Sequence, residues 1–376
     1  MLKRILKIFL ILFSAVLVFA IGFILTLQIF EYTPDGVTSL QISNNLENVT
    51  TNYVTLDETI KIVTFNTGYA SLSATEDFVM DGGEKGRMDS KEEVEANITG
   101  ITNTLLAQNA DIYLLQEVDQ DSNRSYDTDQ LGSYSDALNM PITLGYNYRV
   151  IFVPFPFKFG QMMGTVNSGI VTFANYYIDS ADRIQLPGSF AWPVSLANLK
   201  RCITVHTLPI EGSDKSLILI NVHLSAYDDG SMRLQEMETL KQIMQDETEK
   251  GNYVIVGGDF NQTFPDALVS SNTTGDTTTY EYLYPLKDPS LWQAYPMERD
   301  WFIEHGFTFG VDTSTPTCRL LNQPYDSVNH ENNQYYVIDG FIVSNNVTIE
   351  NVETLNLDFV NSDHNPVAIE VHLNAE

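Results

Sequence analysis

The sequence predicts an α/β protein in which two sheets pack face to face with helices outside. Three observations carry this. Apolar runs of strand length recur along most of the chain. Helical spacing appears clearly in only two segments, near 90–105 and 234–251, each set between strands. Hydrophobic residues make up 43% of the 376, enough for a sizeable core and too many for disorder to be the default.

The elements follow in order. MLKRILK is basic, and from Ile8 to Phe30 only Ser14, Gly22, Thr26 and Gln28 interrupt strong apolarity. That length spans a hydrocarbon core with room for tilt. A cleaved signal peptide has a shorter apolar region and a clear small-residue site. VFA and FSA are poor ones, so residues 1–30 read as an uncleaved anchor. Its basic flank stays in the cytoplasm, which makes a single-pass cell-membrane protein with an extracytoplasmic body. Residues 31–58, rich in Thr, Asn, Asp and Ser, read as a tether. Residues 59–376 read as one folded domain.

Within it IKIVTFN (60–66) is a strand. Ser90 and Glu93 make a capping box ahead of Val94, Ile98, Ile101 and Leu105 at helical spacing. DIYLLQEV (111–118), SGIVTFA (168–174), CITVHTL (202–208) and SLILINVHL (216–224) are strands. Leu234, Met237, Leu240 and Met244 mark a helix closed by Gly251 at C′. YVIVGG (253–258), YYVIDGFIVS (335–344) and HNPVAIEVHL (364–373) complete the strands, and the Thr-rich 270–280 segment reads as a loop.

Charge narrows the function. There are 20 basic residues against 49 acidic, net −29, and three of the basic ones lie in the anchor. Such a body repels polyanions at long range. This disfavours processive nucleic-acid binding, which draws affinity from Lys and Arg on phosphates. It leaves room for a small phosphate substrate held by a metal. Cys202 and Cys318 form no CxxC; they are either one disulfide or two buried thiols.

In IVGGDFNQTFP (255–265) an apolar strand runs into Asp259 and Asn261, which share a face if the chain stays extended. Asp and Asn beside Gly are also ordinary turn formers. The other strands repeat the pattern: Asn66, Glu117, His223 and Asp339 lie in or at the end of apolar strands, and Asp363 and His364 open the last one. Each alone could be a turn residue, a salt-bridge partner or a satisfied core histidine. Together they are hard to dismiss, because buried charge is costly unless paired or metal-bound. Carboxylates and carboxamides without cysteine suit Mg²⁺ or Mn²⁺ rather than Zn²⁺.

IVTFNTG (62–68), LLQEVD (114–119), NSGIVTF (167–173), LINVHLSAYDDGSMRLQE (219–236), VGGDFNQ (256–262), VIDGFIVS (337–344) and SDHNPV (362–367) resemble, in order, the motifs of the endonuclease/exonuclease/phosphatase superfamily. The resemblance implies a four-layered α/β sandwich of two mostly antiparallel sheets flanked by helices, with divalent-metal-dependent cleavage of phosphate esters. It implies Glu117 as principal metal ligand with Asn66 beside it and Asp363 near the metal. Asp259 matches the carboxylate that orients or activates water, and Asn261 the amide that steadies the phosphate. His364 resembles the histidine facing the scissile phosphate, Asp339 the carboxylate orienting it, and His223 a second histidine of the deoxyribonuclease and sphingomyelinase branches. Arg201 and Asn167 match positions that touch phosphate oxygens.

The expected activity is a phosphodiesterase at the outer membrane surface, of nuclease or phospholipid/sphingomyelin type, with Mg²⁺ as cofactor and no protein partner implied. The alternative is an inactive binding module of the same fold, but Glu117, Asp259, Asn261 and His364 are all in place. The stretch YNYRVIFVPFPFKFGQMMG (146–164) reads either as an edge strand and loop or as a rim that contacts lipid. The sequons at Asn48 and Asn97 read as chance.

Overall fold

The structure, a computed structural model, describes residues 2–43, 52–56, 58–274 and 277–375. Much of the segment read as a tether, and the Asn48 sequon, lie outside the described residues. The chain runs through α1 (Leu2–Ile29), β1 (Val37–Ser39), β2 (Thr59–Asn66), α2 (Lys91–Gln108), β3 (Ile112–Asp119), α3 (Gln130–Leu138), β4 (Ile142–Val153), β5 (Gly164–Ala174) and β6 (Ser180–Gln185). It continues through β7 (Cys202–Pro209), β8 (Ser216–His223), α4 (Ser231–Glu249), β9 (Tyr253–Asp259), β10 (Leu268–Thr274), β11 (Thr277–Tyr282), α5 (Asp300–Glu304), β12 (Phe307–Gly310) and β13 (Cys318–Arg319). It ends with β14 (Tyr335–Tyr336), β15 (Asp339–Ser344), β16 (Val347–Thr354) and β17 (Val367–Leu373).

Two large sheets result, one of 7 strands in the order β1-β6-β7-β8-β9-β15-β12 and one of 6 in the order β16-β17-β2-β3-β5-β4. Within each, β2 with β3 and β8 with β9 are the parallel pairs, and the other pairs are antiparallel. Side-chain alternation explains the layering. Ile60 and Ile62 of β2 meet Leu217, Leu219 and Phe341 between the sheets. Val63 and Phe65 face the other way, against Val94, Ile101 and Leu105 of α2. In the second sheet Ile218, Ile220 and Val254 turn outward onto Met237, Leu240 and Met244 of α4. Both faces of the central strands are covered, which is why they read as near-continuous apolar runs. The four layers are therefore helices, sheet, sheet, helix, as expected.

A polar tie crosses the dry middle layer. Gln116 Nε2 donates to Asn221 Oδ1 at 2.8 Å, and Asn221 Nδ2 donates to the Val171 carbonyl at 3.0 Å. Gln116 thus joins the sheets and does not face the cavity.

Ser90 caps α2 as expected: the Glu93 N–H donates to Ser90 Oγ at 3.2 Å. Gly251 takes a φ of +81° after α4, as a C′ glycine does. Leu234, however, is 70% exposed, because α4 packs through Met237, Leu240 and Met244 with Ile243 beside them. The 270–280 segment is not a loop but most of the β10–β11 hairpin. Its β-branched threonines favour extended backbone, a preference that outweighed the turn-like composition. Val37–Ser39, within the segment read as a tether, pair with β6 and extend the first sheet. Cys202 and Cys318 are free, buried thiols. Asn97 is buried in α2 and donates to the Ala70 carbonyl, so that sequon is structural.

Helix α1 is long and apolar enough to cross a membrane. Most of it stands clear of the domain, but its last turns touch it. Leu27 is buried, Phe23 meets Phe152 edge-on at 6.1 Å, and Trp192 Nε1 donates to Gln28 Oε1 at 3.1 Å. Beyond the helix, Glu31 pairs with Lys200 at 2.6 Å.

Candidate active site

Register brings the strand-end residues together. On the 7-stranded sheet Asp259 lies opposite His223 on one side and opposite Asp339 on the other. The C-terminal ends of β8 and β9 thus meet the start of β15. Asn66 ends β2 of the other sheet and reaches across, its Nδ2 donating to Asp259 Oδ2 at 3.0 Å.

Backbone irregularities aim the rest. A bulge between Leu115 and Val118 puts Glu117 at a φ of +55°, turning its carboxylate to the cavity while Gln116 stays between the sheets. Asn261 takes a φ of +50°, and its N–H donates to Asp259 Oδ1 at 2.8 Å, closing the turn that follows β9. The paired glycines serve packing. A Cβ on Gly258 would lie 2.1 Å from the Val222 carbonyl oxygen, and one on Gly257 would strike Phe341 and Leu114.

The cluster is compact. His223 Nε2 lies 3.5 Å from Asp259 Oδ2 and 3.7 Å from Glu117 Oε1. His364 Nδ1 bonds Asp339 Oδ2 at 2.8 Å, and its Nε2 is 3.9 Å from both Asp259 and Asp363. Asn261 Nδ2 donates to the Leu224 carbonyl at 2.8 Å. Arg201 Nη1 reaches the His223 carbonyl at 3.3 Å and lines the same cavity. Asn167 lies outside that lining; its neighbour Ser168, on the opposite strand face, contributes instead.

Burial and neighbours set the charges. Burial, then repulsion from Asp339, pushes Asp259 up to about 6. Burial, then Glu117 among its neighbours, pushes Asp363 up to about 7. Burial also raises Glu117. His223 is held well below its ordinary value by burial, with Arg201 and His364 adding to it, so its imidazole is neutral near pH 7. For His364 burial opposes the charge, but Asp339, Cys318 and Asp363 outweigh it and the imidazolium is favoured.

The donor set fits a hard divalent cation. Asp259, Asp339 and Asp363 are buried beside the half-buried Glu117, and Asp339 Oδ1 has no hydrogen-bond partner. Asp259, Asp339 and His364 offer ligand atoms within 4.8 Å of one another. Asn66 lies beside Glu117, as the resemblance implies: its Oδ1 accepts from the Gly68 N–H at 3.0 Å while its Nδ2 faces Asp259 and Glu117.

Several residues escaped the sequence reading. Arg124 is buried, forms a two-pronged pair with Asp119 at 2.8 and 3.0 Å, and lies 3.6 Å over the Tyr69 ring. It lines the cavity with Asn147 and Tyr227, the last bonded to Asp81 at 2.6 Å. Asp119 lies inside LLQEVD, Tyr227 inside LINVHLSAYDDGSMRLQE and Asn147 inside the aromatic 146–164 stretch, whereas Arg124 sits in a turn without apolar periodicity.

Comparison with known proteins agrees on the fold. The profile of the Endonuclease/Exonuclease/phosphatase family matches residues 63–364. No curated protein matches the chain. Among solved structures it is similar to an endonuclease/exonuclease/phosphatase from Beutenbergia cavernae, with TM-score 0.54 and 15% identity over 84% of this chain and 72% of that one. An endonuclease/exonuclease/phosphatase from Bacteroides vulgatus gives 0.51 at 14% identity, over 85% and 100%. The human Nocturnin catalytic domain with bound sulfate gives 0.50 at 16% identity, over 86% and 97%.

Proposed function

The chain belongs to the endonuclease/exonuclease/phosphatase family, and from that premise we propose that it is a Mg²⁺-dependent phosphodiesterase working at the outer face of a membrane. The observation that carries this is the buried cluster in which Asp259 touches Asn66 and lies within 4 Å of two histidines of opposite charge preference.

Asp259 is the general base. Its raised affinity for a proton, near 6, suits it to take one from the attacking water. Asn66 and the Asn261 N–H hold its two oxygens in place. His364, kept cationic by Asp339, offers its Nε2–H to an equatorial phosphate oxygen as negative charge builds. Water's oxygen bonds to phosphorus as its proton passes to Asp259, the ester P–O bond breaks, and the leaving oxygen takes a proton from solvent. Neutral His223 and Arg201 border the same space and steady the phosphate. Glu117 and Asp363 would hold the Mg²⁺, which when bound supplies Lewis-acid charge to the phosphate oxygens. The basic residues Lys3, Arg4 and Lys7 in the first turns of α1 support an outward-facing domain.

The test is hydrolysis of bis-p-nitrophenyl phosphate by the full chain with Mg²⁺, with EDTA, and as His364→Ala. Turnover that needs the metal and the histidine is expected. A folded protein that binds Mg²⁺ yet turns over no phosphodiester would sink the reading.

A further inference from the structure

The catalytic cluster occupies only the inner end of a cavity of about 630 Å³. The same cavity is also lined by Tyr148, Met163, Phe155 and Leu196, all buried or half-buried. At its mouth the wall is Phe23, Ile24 and Leu27 of α1, facing Phe157, Pro193 and Val194. A phosphate group and its metal need none of this. Apolar walls contribute to binding only when they take apolar surface out of water.

The helix is seated there by specific contacts. Leu27 is buried while Phe9, Phe13 and Phe19 on the same helix are exposed. The Trp192–Gln28 hydrogen bond and the Glu31–Lys200 pair fix the end of α1 beside the loop that carries Pro193 and Val194. Around the mouth Phe157, Phe159 and Trp192 are 83%, 101% and 63% exposed. Exposed aromatics beside an apolar helix suit the membrane–water interface. An opening lined in this way suits hydrocarbon better than water as its neighbouring solvent.

We propose that the substrate is a lipid phosphate ester drawn from the bilayer that α1 spans, and that α1 forms one wall of the channel in which its chain lies. This rests on the hydrolase reading above and adds to it. The helix is part of the site as well as an anchor. The phosphate reaches Asp259 and His364 while the chain remains between α1 and the Phe155–Phe157 and Pro193–Val194 segments.

The test uses the full chain in lipid nanodiscs with Mg²⁺ and two esters of one leaving group, hexadecyl p-nitrophenyl phosphate and methyl p-nitrophenyl phosphate. Expected is a preference in kcat/KM for the long-chain ester of about 100-fold, set by chain burial. That preference should fall about ten-fold in the double variant Phe23→Ala/Leu27→Ala and persist in Phe9→Ala/Phe13→Ala, whose rings stack on each other nearer the start of α1 and outside the cavity lining. Equal kcat/KM for the two esters, or an equal fall in both variants, overturns the proposal. If neither ester is hydrolysed the phosphodiesterase reading fails, and a photolabel decides the channel by itself. A hexadecyl phosphate with a terminal diazirine should label Leu27 and Leu196 and be displaced by unlabelled hexadecyl phosphate. Labelling all round α1 without displacement overturns it.

Discussion

At the inner end of the cavity His223, Asp259 and Asp339 lie side by side in register on three neighbouring strands, each buried. At the mouth Phe157 and Trp192 stand on loops with most of their surface exposed, and the facing wall is a helix from outside the sandwich. The difference separates two tasks. Proton transfer needs atoms held to a fraction of an ångström, and strand ends locked by sheet hydrogen bonds provide that. Selecting an apolar group needs area and some adaptability, which loops and a helix end supply.

Changes at the inner end should be the most damaging to turnover. Asp259→Asn keeps the shape that Asn66 binds but removes the base, so kcat should fall about a thousand-fold. The fold works against the charged carboxylate, as its raised proton affinity shows, and this relief offsets the one hydrogen bond lost when an NH2 replaces an acceptor oxygen, so the unfolding midpoint should stay near the parent's. A kinetic and calorimetric comparison with the parent checks both; a large drop in midpoint would mean Asp259 is structural.

Next is the packing beneath. Gly258→Ala forces a Cβ to 2.1 Å from the Val222 carbonyl, at a φ of +148°. A loss of about 3 kcal/mol or more in urea unfolding is expected. Activity should fall with it because Asp259 is the next residue. Stability within 0.5 kcal/mol of parent, roughly the scatter of a surface change, would show that the strand end is not rigid.

The scaffold also predicts an acid response. His206 is buried between the sheets, bonded to Thr143 Oγ1 at 2.7 Å, and burial pushes it down to about 4 from 6.5. Its folded value is depressed, so its contribution to stability is whole above pH 6.5 and is lost as pH falls through 4. That contribution amounts to roughly 3 kcal/mol. His206→Asn should start less stable at neutral pH yet lose less on acidification. Parallel unfolding curves against pH for the two proteins would refute this.

The mouth should be the most tolerant. Phe159 projects fully into solvent and takes no part in the cavity lining. Phe159→Ser should leave hydrolysis of a soluble ester within two-fold and weaken vesicle association of the domain by roughly 1 kcal/mol. Vesicle sedimentation measures the second effect, and none at all would remove this residue from the membrane-facing rim.

How much was legible follows the same division. Strand runs such as IKIVTFN and YVIVGG announced themselves because both faces of those strands are covered. The strand-end polars were legible because a charge in an apolar run is costly without a partner. Weakly buried strands were not: β1 and β16 at sheet edges, and β6 next to β1, bury little, so they carry weak patterns. Threonines that read as loop paired into β10 and β11, since a partner strand decides such a segment.

Local sequence determined the α/β class, the apolar N-terminal helix, the capped α2 and the identity of the groups that meet at Asp259. Each is a property of period, composition or a side chain's own chemistry. Only the tertiary structure decided that Gln116 ties the sheets while Glu117 faces the cavity, that Arg124 sits over Tyr69, and that the end of α1 closes one wall of the site. Those facts depend on a bulge, a sheet register and a docking contact between residues far apart in the chain, none of which has a signature shorter than the fold itself.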